Sequence, residues 1–310
     1  MKIRLIVNPL AGGGRAGRAL PAVRDALARL GLEHEVTETR SLAHARELVH
    51  EAAAGGEVSV AFGGDGLIGA VADALRGGDG VMGVLPGGRG NDFARALGIP
   101  LDPAQACAVL AAGAPRALDL GEVNGRTFIG IASCGFDSDA NRIANQARVV
   151  RGNLVYAYGA LRALVHWRPV TFTVELDGGR PRTITGYTVA AANSRSYGGG
   201  MQLAPAADLD DGQLDVVVIS HLSRPRFLML MPTVFTGTHV NQAIVETSRA
   251  RTIAIAASRP LTLYADGDPI AELPVRISVL RGAMRVIVPA ATPEPAPWAV
   301  APEATARTSR

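Results

Sequence analysis

Three glycine-rich loops within the first 92 residues constrain the fold of this 310-residue chain more than any other feature. They are Asn8-Pro9-Leu10-Ala11-Gly12-Gly13-Gly14, Gly63-Gly64-Asp65-Gly66 and Pro86-Gly87-Gly88-Arg89-Gly90-Asn91-Asp92, and each separates a short apolar run from a stretch of helical period. The runs at 3–7, 33–36, 58–62 and 81–85 read as strands, and 16–30, 43–54, the stretch ending at Leu75, 93–97 and 103–112 read as helices. That rhythm predicts a doubly wound parallel sheet with helices on both faces.

From about residue 117 the texture changes. Alternating or β-branched segments at 126–132, 170–176, 183–192, 214–219, 252–256, 261–265, 274–280 and 284–288 predict antiparallel strands. Asp177-Gly178, Asp211-Gly212 and Asp266-Gly267 supply the turns between several of them. Two helical patterns, 138–165 and 224–235, interrupt this second domain. The domains are therefore expected at 1–120 and 121–290, with a disordered Pro/Ala/Thr-rich tail at 291–310.

Glycine loops at the carboxyl ends of parallel strands can be mere tight turns, but they also let a backbone approach a phosphate and aim helix amides at its charge. Three such loops in one sheet, two of them holding an aspartate, point to a nucleoside triphosphate. None fits a dinucleotide fingerprint, since G-x-G-x-x-G spacing is missing from the first. Lys2 is the only lysine, so a P-loop lysine is excluded. A net charge of +3, from 31 basic and 28 acidic residues, argues against nucleic acid as a partner. Cys107 and Cys134 stand apart without metal-ligand spacing, as in a chain kept in a reducing compartment. The amino terminus has no signal-peptide core, and the longest apolar stretch, 227–235, is broken by Pro232 and too short to span a bilayer. A cytoplasmic protein, peripheral at most at the inner membrane surface, is expected.

Asn8-Pro9 with Gly12-Gly13-Gly14, Gly63-Gly64-Asp65-Gly66, Gly88-x-Gly90-Asn91-Asp92-Phe93-Ala94-Arg95, Asp211-Gly212-x-Leu214-Asp215 and Asp266-Gly267-Asp268 occur in an order that resembles the bacterial diacylglycerol-kinase-type lipid kinases, related to sphingosine kinases. The resemblance implies an ATP-binding α/β domain of the NAD-kinase and phosphofructokinase type, followed by an antiparallel β-sandwich for the lipid. It implies phosphoryl transfer from ATP, with Mg²⁺, to a diacylglycerol-like hydroxyl during transient contact with a membrane surface, and it leaves room for a homodimer. Asn8, Pro9, Gly12, Gly64, Asp65, Gly66, Leu67 and Ile68 would line ATP, with Thr39, or alternatively Thr37, beside the nucleotide and Asp65 near phosphates and Mg²⁺. Gly88, Arg89, Asn91 and Asp92 would form the third wall, Asp92 serving equally as a helix cap.

Two family hydroxyls are absent, because Leu67 and Arg89 stand where threonine is usual. Arg89 offers a guanidinium fork suited to phosphate oxygens instead. The family further implies a structural Mg²⁺ on the Asp211 carboxylate and the carbonyls of Asp208 and Gln213, and a catalytic base at Asp268, where the usual residue is glutamate. Asp266 would help set that turn. The 193–200 loop would face the cleft, unless it is only a flexible turn. The Met-rich run 227–231 suits core packing first and acyl-chain contact second. Asp137 reads as a helix cap, and the six histidines show no ligand spacing. An NAD-kinase-like or other soluble-alcohol kinase shares the Gly-Gly-Asp-Gly loop, and a catalytically silent nucleotide- or lipid-binding regulator is the rival from another class.

Overall fold

The computed structural model describes residues 1–136, 138–140, 143, 162–165 and 167–290. The expected tail, most of the 138–165 helical pattern and Asp137 lie outside the described residues. In the first domain β1 (Lys2–Val7), β2 (Glu33–Glu38), β3 (Val58–Gly63) and β4 (Val81–Pro86) alternate with α1 (Ala11–Arg29), α2 (Leu42–Ala54), α3 (Asp65–Leu75), α4 (Asp92–Ala96) and α5 (Pro103–Ala112). The strands lie parallel in the order β4-β3-β1-β2. Ile3, Leu5, Ile6, Val7, Val60, Ala61 and Phe62 have no exposed surface, as in parallel strands covered on both faces. Helices α1 and α5 pack together, as do α2 and α3.

Local chemistry sets the helix starts. The Ser41 hydroxyl accepts the His44 N–H at 3.1 Å to cap α2, and Asp102 accepts the Gln105 N–H at 2.9 Å ahead of Pro103 to cap α5. Regular helix in α1 begins only after Gly14, because Gly12, Gly13 and Gly14 have φ of 62°, 72° and 81°. Left-handed backbone of this kind is open to glycine at no steric cost.

The second domain holds β5 (Ala114–Val123), β6 (Arg126–Phe128), β7 (Ile131–Gly135), β8 (Val170–Leu176), β9 (Arg182–Ala192), β10 (Leu214–Ser220), β11 (Val245–Ala250), β12 (Thr252–Ala257), β13 (Thr262–Ala265), β14 (Asp268–Glu272) and β15 (Val275–Val288), with α6 (Arg224–Phe235) between β10 and β11. Its pairings are antiparallel, and the long β9 serves β8 with its first half, β7 with its second, and β10 along its other edge. A separate apolar core fills this sandwich, containing Phe128, Phe136, Trp167, Phe172, Tyr187 and Phe227.

Two expected boundaries differ from those observed, each for a visible reason. The single strand expected at 126–132 is two, since Ile129 and Gly130 leave the ladder to donate their N–H groups to the Asp266 carboxylate. The two strands expected at 274–280 and 284–288 are one, β15, whose register with β5 shifts between Leu280 and Met284. The end of β15 pairs in parallel with β4, at Arg285 with Val81 and Val286 with Met82, so the chain's last strand extends the first domain's sheet.

At this junction the buried Asp119 carboxylate accepts the N–H groups of Gly212 at 2.6 Å and Gly282 at 2.7 Å, tying the 211–212 turn to the β15 bulge. Among the described residues no helix is long and apolar enough to cross a membrane. Replacing Asp119 by Ala leaves the buried Gly212 donor and the exposed Gly282 donor without a partner, so urea unfolding should register a loss of about 1–3 kcal/mol, mostly from Gly212. A loss under ~1 kcal/mol would mean that water takes the place of the carboxylate.

Candidate functional site

Strands β4, β3 and β1 are neighbours, so the three glycine loops that follow them meet at one edge of the sheet, where the order 4-3-1-2 changes direction. Ligands of open α/β sheets bind outside such a switch point. The Gly87 N–H donates to Gly63 O at 2.7 Å and the Asn8 N–H to Phe62 O at 3.0 Å, which lashes the loops side by side. A Cβ on Gly88 would lie 2.6 Å from Gly64 Cα, and one on Gly12 would lie 2.5 Å from Gly87 O. No side chain fits at either contact.

Polar groups hold this backbone in shape. Asn91, in a left-handed conformation at φ 52°, accepts the Gly88 N–H at 2.8 Å and donates back to Gly88 O at 3.2 Å. The Arg15 guanidinium donates to the same Gly88 O at 3.2 Å. Asp65, at the first turn of α3, accepts the Asn91 N–H at 2.9 Å and the Phe93 N–H at 3.4 Å, linking the second loop to the third. Asn8 Oδ1 caps its own loop through the Leu10 N–H at 3.1 Å, and Thr39 sits beside it with its N–H on Val7 O. Thr37 lies one residue pair back within the ladder, opposite Ile6. Pro9 O accepts the Gly17 N–H, so this loop is anchored from within α1.

Arg89 is exposed and has no hydrogen bond or ion pair among the described residues. Lys2, by contrast, pairs with Glu57 at the opposite end of β1. Leu67 and Ile68 are buried in the first core, their N–H groups bond to Gly64 O, and the Leu67 side chain packs under Gly63, where an added Cβ would meet its Cδ2 at 2.8 Å, so they support the loop from beneath. Gly66 at the helix start is exposed.

The second domain closes the site from the other side. Gly198, Gly199 and Gly200 all have positive φ, and the Gly199 N–H donates to Asp92 Oδ2 at 2.8 Å across the domains. The 193–200 loop therefore faces the cleft. A Cβ on Gly90 would meet Asp92 Oδ2 at 2.8 Å and Asp65 Oδ2 at 3.1 Å, so these two carboxylates converge there. Asp266, in a left-handed turn, accepts the N–H groups of Ile129, Gly130 and Ile131 at 2.8, 2.9 and 3.2 Å. Sequence reasoning credited Asp266 only with setting its turn. Its clamp on 129–131 depends on a pairing over more than 130 residues that no local signal carries. Asp268 begins β14, exposed and opposite Ala265.

Electrostatically the cleft is short of positive charge. Burial, and then the Asp92 charge, hold the Asp65 carboxyl above the usual range. Burial raises Asp92 too, against the Gly199 and Gly200 amides, and leaves its Oδ1 without a hydrogen bond. Asp266 is pushed up to about 6 by burial, with the Asp65 charge adding to the effect. A cation at Gly90, where Asp65 and Asp92 converge, would relieve those two.

The acidic turn of the second domain is different. Asp210 pairs with Arg116 at 2.9 Å and Asp208 with the same residue at 3.9 Å. Asp211 Oδ1 accepts the Gln213 N–H at 2.9 Å, while its buried Oδ2 has no hydrogen bond and only Arg249 at 3.5 Å. Among the described residues no three His, Cys, Asp or Glu side chains come together as a metal cage. A site of one carboxylate and two backbone carbonyls, as the resemblance implies at Asp211, is not of that kind, and the Asp211 Oδ2, free of hydrogen bonds and paired only with Arg249 at 3.5 Å, is the acceptor such an ion would use.

Residues 2–123 match the family model described as the diacylglycerol kinase catalytic domain, and 130–288 match that of the YegS C-terminal NAD kinase beta sandwich-like domain. The chain is 36% identical to a diacylglycerol kinase of Mycobacterium tuberculosis strain ATCC 25618 / H37Rv, covering 93% of this chain and 95% of that one. It is 30% identical to a diacylglycerol kinase of Bacillus subtilis strain 168, covering 93% and 96%. A crystal structure of a diacylglycerol kinase from Bacillus anthracis str. Sterne superposes with a TM-score of 0.72 at 21% identity over 93% of this chain and 96% of that one, which shows the same fold.

A carboxyl group whose folded-state pKa lies above its unfolded value binds protons more readily when folded. The Asp266 contribution is thus present at the acid end and lost as pH rises from about 4 through about 6. Asp266→Asn stays neutral throughout, so its stability relative to the native protein should improve as pH rises across that window in urea unfolding. A pH-independent difference would mean that the three N–H bonds offset the burial.

Proposed function

The chain belongs to the family defined by the diacylglycerol kinase catalytic domain, and from that premise we propose that it transfers the γ-phosphoryl group of ATP, with Mg²⁺, to the hydroxyl of a lipid such as diacylglycerol. One observation carries the reading: the glycine loops of the first domain and the polar turns of the second face each other, joined by the Gly199 amide on Asp92. A phosphate bound on the loops and a hydroxyl presented by the sandwich would meet there.

Phosphoryl transfer asks a protein mainly for positioning and charge neutralisation. Asn8, Pro9, Gly12, Gly64, Gly66 and Gly88 would supply backbone close to the phosphates, with Thr39 toward the nucleoside. Asn91 and Asp92 keep the third loop in register. Arg89, with its guanidinium uncommitted, would take phosphate oxygens in the role that lysine cannot fill in this chain. Asp65 and Asp92 would hold the Mg²⁺ that accompanies ATP, since burial keeps both above the usual range, Asp65 with no positive charge beside it and Asp92 with only Arg95. That ion supplies neutralisation of the phosphate oxygens. Asp211, with the carbonyls of Asp208 and Gln213, would hold a second, structural Mg²⁺, for which the unbonded Oδ2 is the support.

Asp268, exposed at the start of β14, would accept the proton of the attacking hydroxyl as its oxygen bonds to the γ-phosphorus and ADP leaves. Its side chain is one methylene shorter than the family's glutamate, so the turn or a bridging water must make up about 1.5 Å, a carbon–carbon bond length.

ATP consumption across a panel of lipid and soluble acceptors tests the whole reading. A lipid-dependent rate supports it, a rate only with soluble alcohols favours the soluble-alcohol kinase, and no rate favours a silent binder. Asp268→Asn should cut kcat by at least ~100-fold with ATP affinity little changed, while Asp268→Glu keeps or improves activity. Arg89→Ala should raise the KM for ATP several-fold and leave the acceptor KM alone. An Arg89 that only faces solvent would move neither.

A further inference from the structure

We propose that the outer face of α6 is a membrane-docking surface that seats the protein on an anionic bilayer beside the cleft. The orientation toward the cleft rests on the reading of the acceptor as a lipid. Phe227, Leu230 and Val234 of α6 are buried and hold the helix to the sandwich, with the Phe227 ring stacked on Tyr187 at 4.1 Å between centroids. The other side is apolar as well. Leu228, Met229 and Phe235 are 47%, 68% and 56% exposed, with Pro225 and Pro232 exposed along the same helix. Other large hydrophobic side chains left exposed among the described residues, such as Leu30, Leu42 and Leu101, belong to separate elements, as is ordinary for a soluble surface. Three on one 12-residue helix form a patch.

Two segments of chain at this patch carry charge of one sign. Neither 162–174 nor 221–245 contains an aspartate or a glutamate. Arg224 and Arg226 stand exposed in the first turn of α6, and Arg226 has no partner among the described residues. Arg224 donates to Trp167 O at 3.3 Å, Arg259 lies over the Trp167 ring at 5.1 Å, and Arg168 follows next in the chain, exposed. An apolar helix face flanked by arginines and free of acids matches an interface of acyl chains below anionic headgroups. It fits an acidic protein partner less well, since that would leave the Leu228, Met229 and Phe235 side chains without apolar cover.

Position links the face to the chemistry. Val234 O, at the end of α6, accepts the Gln202 N–H at 2.9 Å. The preceding residue, Met201, pairs with Tyr197 through two backbone hydrogen bonds of 3.0 Å. Between them lies Gly199, whose N–H is on Asp92. A lipid leaving the bilayer along α6 therefore arrives at the loop that borders the two carboxylates.

Flotation of the full chain with vesicles tests this without turnover. Binding to phosphatidylcholine mixed with phosphatidylglycerol should exceed binding to phosphatidylcholine alone by about tenfold or more at low salt, and the excess should shrink at high salt. Leu228→Asp with Met229→Asp should lose at least ~10-fold on both vesicles, since the apolar term is removed. Arg226→Glu should lose only the anionic preference. Both variants should melt as the native protein does and phosphorylate a short-chain, water-soluble diacylglycerol at the native rate, while the rate on vesicle-borne lipid falls in step with binding. Native protein that does not bind mixed vesicles, or a double variant that binds them undiminished, overturns the proposal. So does a native dimer that the double variant splits with vesicle binding unchanged, which would make the face a contact between copies. Vesicle binding through α6 without lipid turnover would refute the kinase reading and leave the docking face standing.

Discussion

The cleft depends on how closely the backbone of Gly88 approaches that of Gly64. A single methyl group on Gly88 would stand 2.6 Å from Gly64 Cα, which is closer than atoms of this kind come, so the second and third loops can touch only because both are bare. That contact brings Asp65 within reach of the Asn91 and Phe93 amides, and through them fixes the start of α4. The left-handed Asn91 that results is costly for most side chains but tolerable for asparagine, and it offsets the strain by bonding Gly88 twice. The first loop then closes on the third at Gly12. Sterics and a few polar bonds thus build one concave wall of backbone, without help from the ligand it would hold.

The same closeness creates an electrostatic debt. Asp65, Asp92 and Asp266 come from three segments far apart in sequence, yet all three sit above the ordinary carboxylate range because they share a desolvated space. Backbone amides answer part of the charge: Asp266 has three, Asp65 has those of Asn91 and Phe93, and Asp92 has those of Gly199 and Gly200. Amides are partial charges, and the balance stays negative. Clustered perturbed carboxylates in a cleft are a mark of functional sites, although structural ion pairs can mimic it. Here the structural explanation fails, because no arginine or lysine among the described residues pairs with Asp65 or Asp266, whereas the acidic turn at 208–215 is matched by Arg116 and Arg249.

Much of this was legible in the sequence, and what was not has a common cause. Parallel strands announce themselves by short apolar runs, helix starts by Ser41 and Asp102, and antiparallel turns by Asp-Gly pairs, all within a few residues. The chain's helix 224–235 was legible to the residue for the same reason. What escaped depends on pairing across the fold. The β15 bulge at 281–283 is held by Asp119, 163 positions from Gly282, so the sequence there reads as two strands. Strands β5, β11 and β14 have weak local alternation and are made by their neighbours. Leu67 and Ile68 follow the second loop, and helix period turns their side chains into the core beneath it. The 193–200 loop was expected at the cleft, but the Gly199 latch on Asp92 joins residues 107 apart, and only the folded chain shows that bond.

The absence of lysine beyond position 2 sharpens what the cleft can do. With no ammonium point charge to offer, cationic contact with phosphate must come from guanidinium groups. Arg15 is already committed to Gly88 O and Arg95 to Gly90 O, so both stiffen the loops they touch. Arg89 alone of these three is left uncommitted, on the loop between Gly88 and Gly90. Two arginines thus serve the shape of the wall and one is free for what binds against it. Arginine keeps its charge even when partly desolvated, where a lysine would tend to lose its proton. A wall built from bare backbone and braced by guanidinium groups therefore keeps fixed positive charge beside the Asp65 and Asp92 carboxylates that the same loops carry.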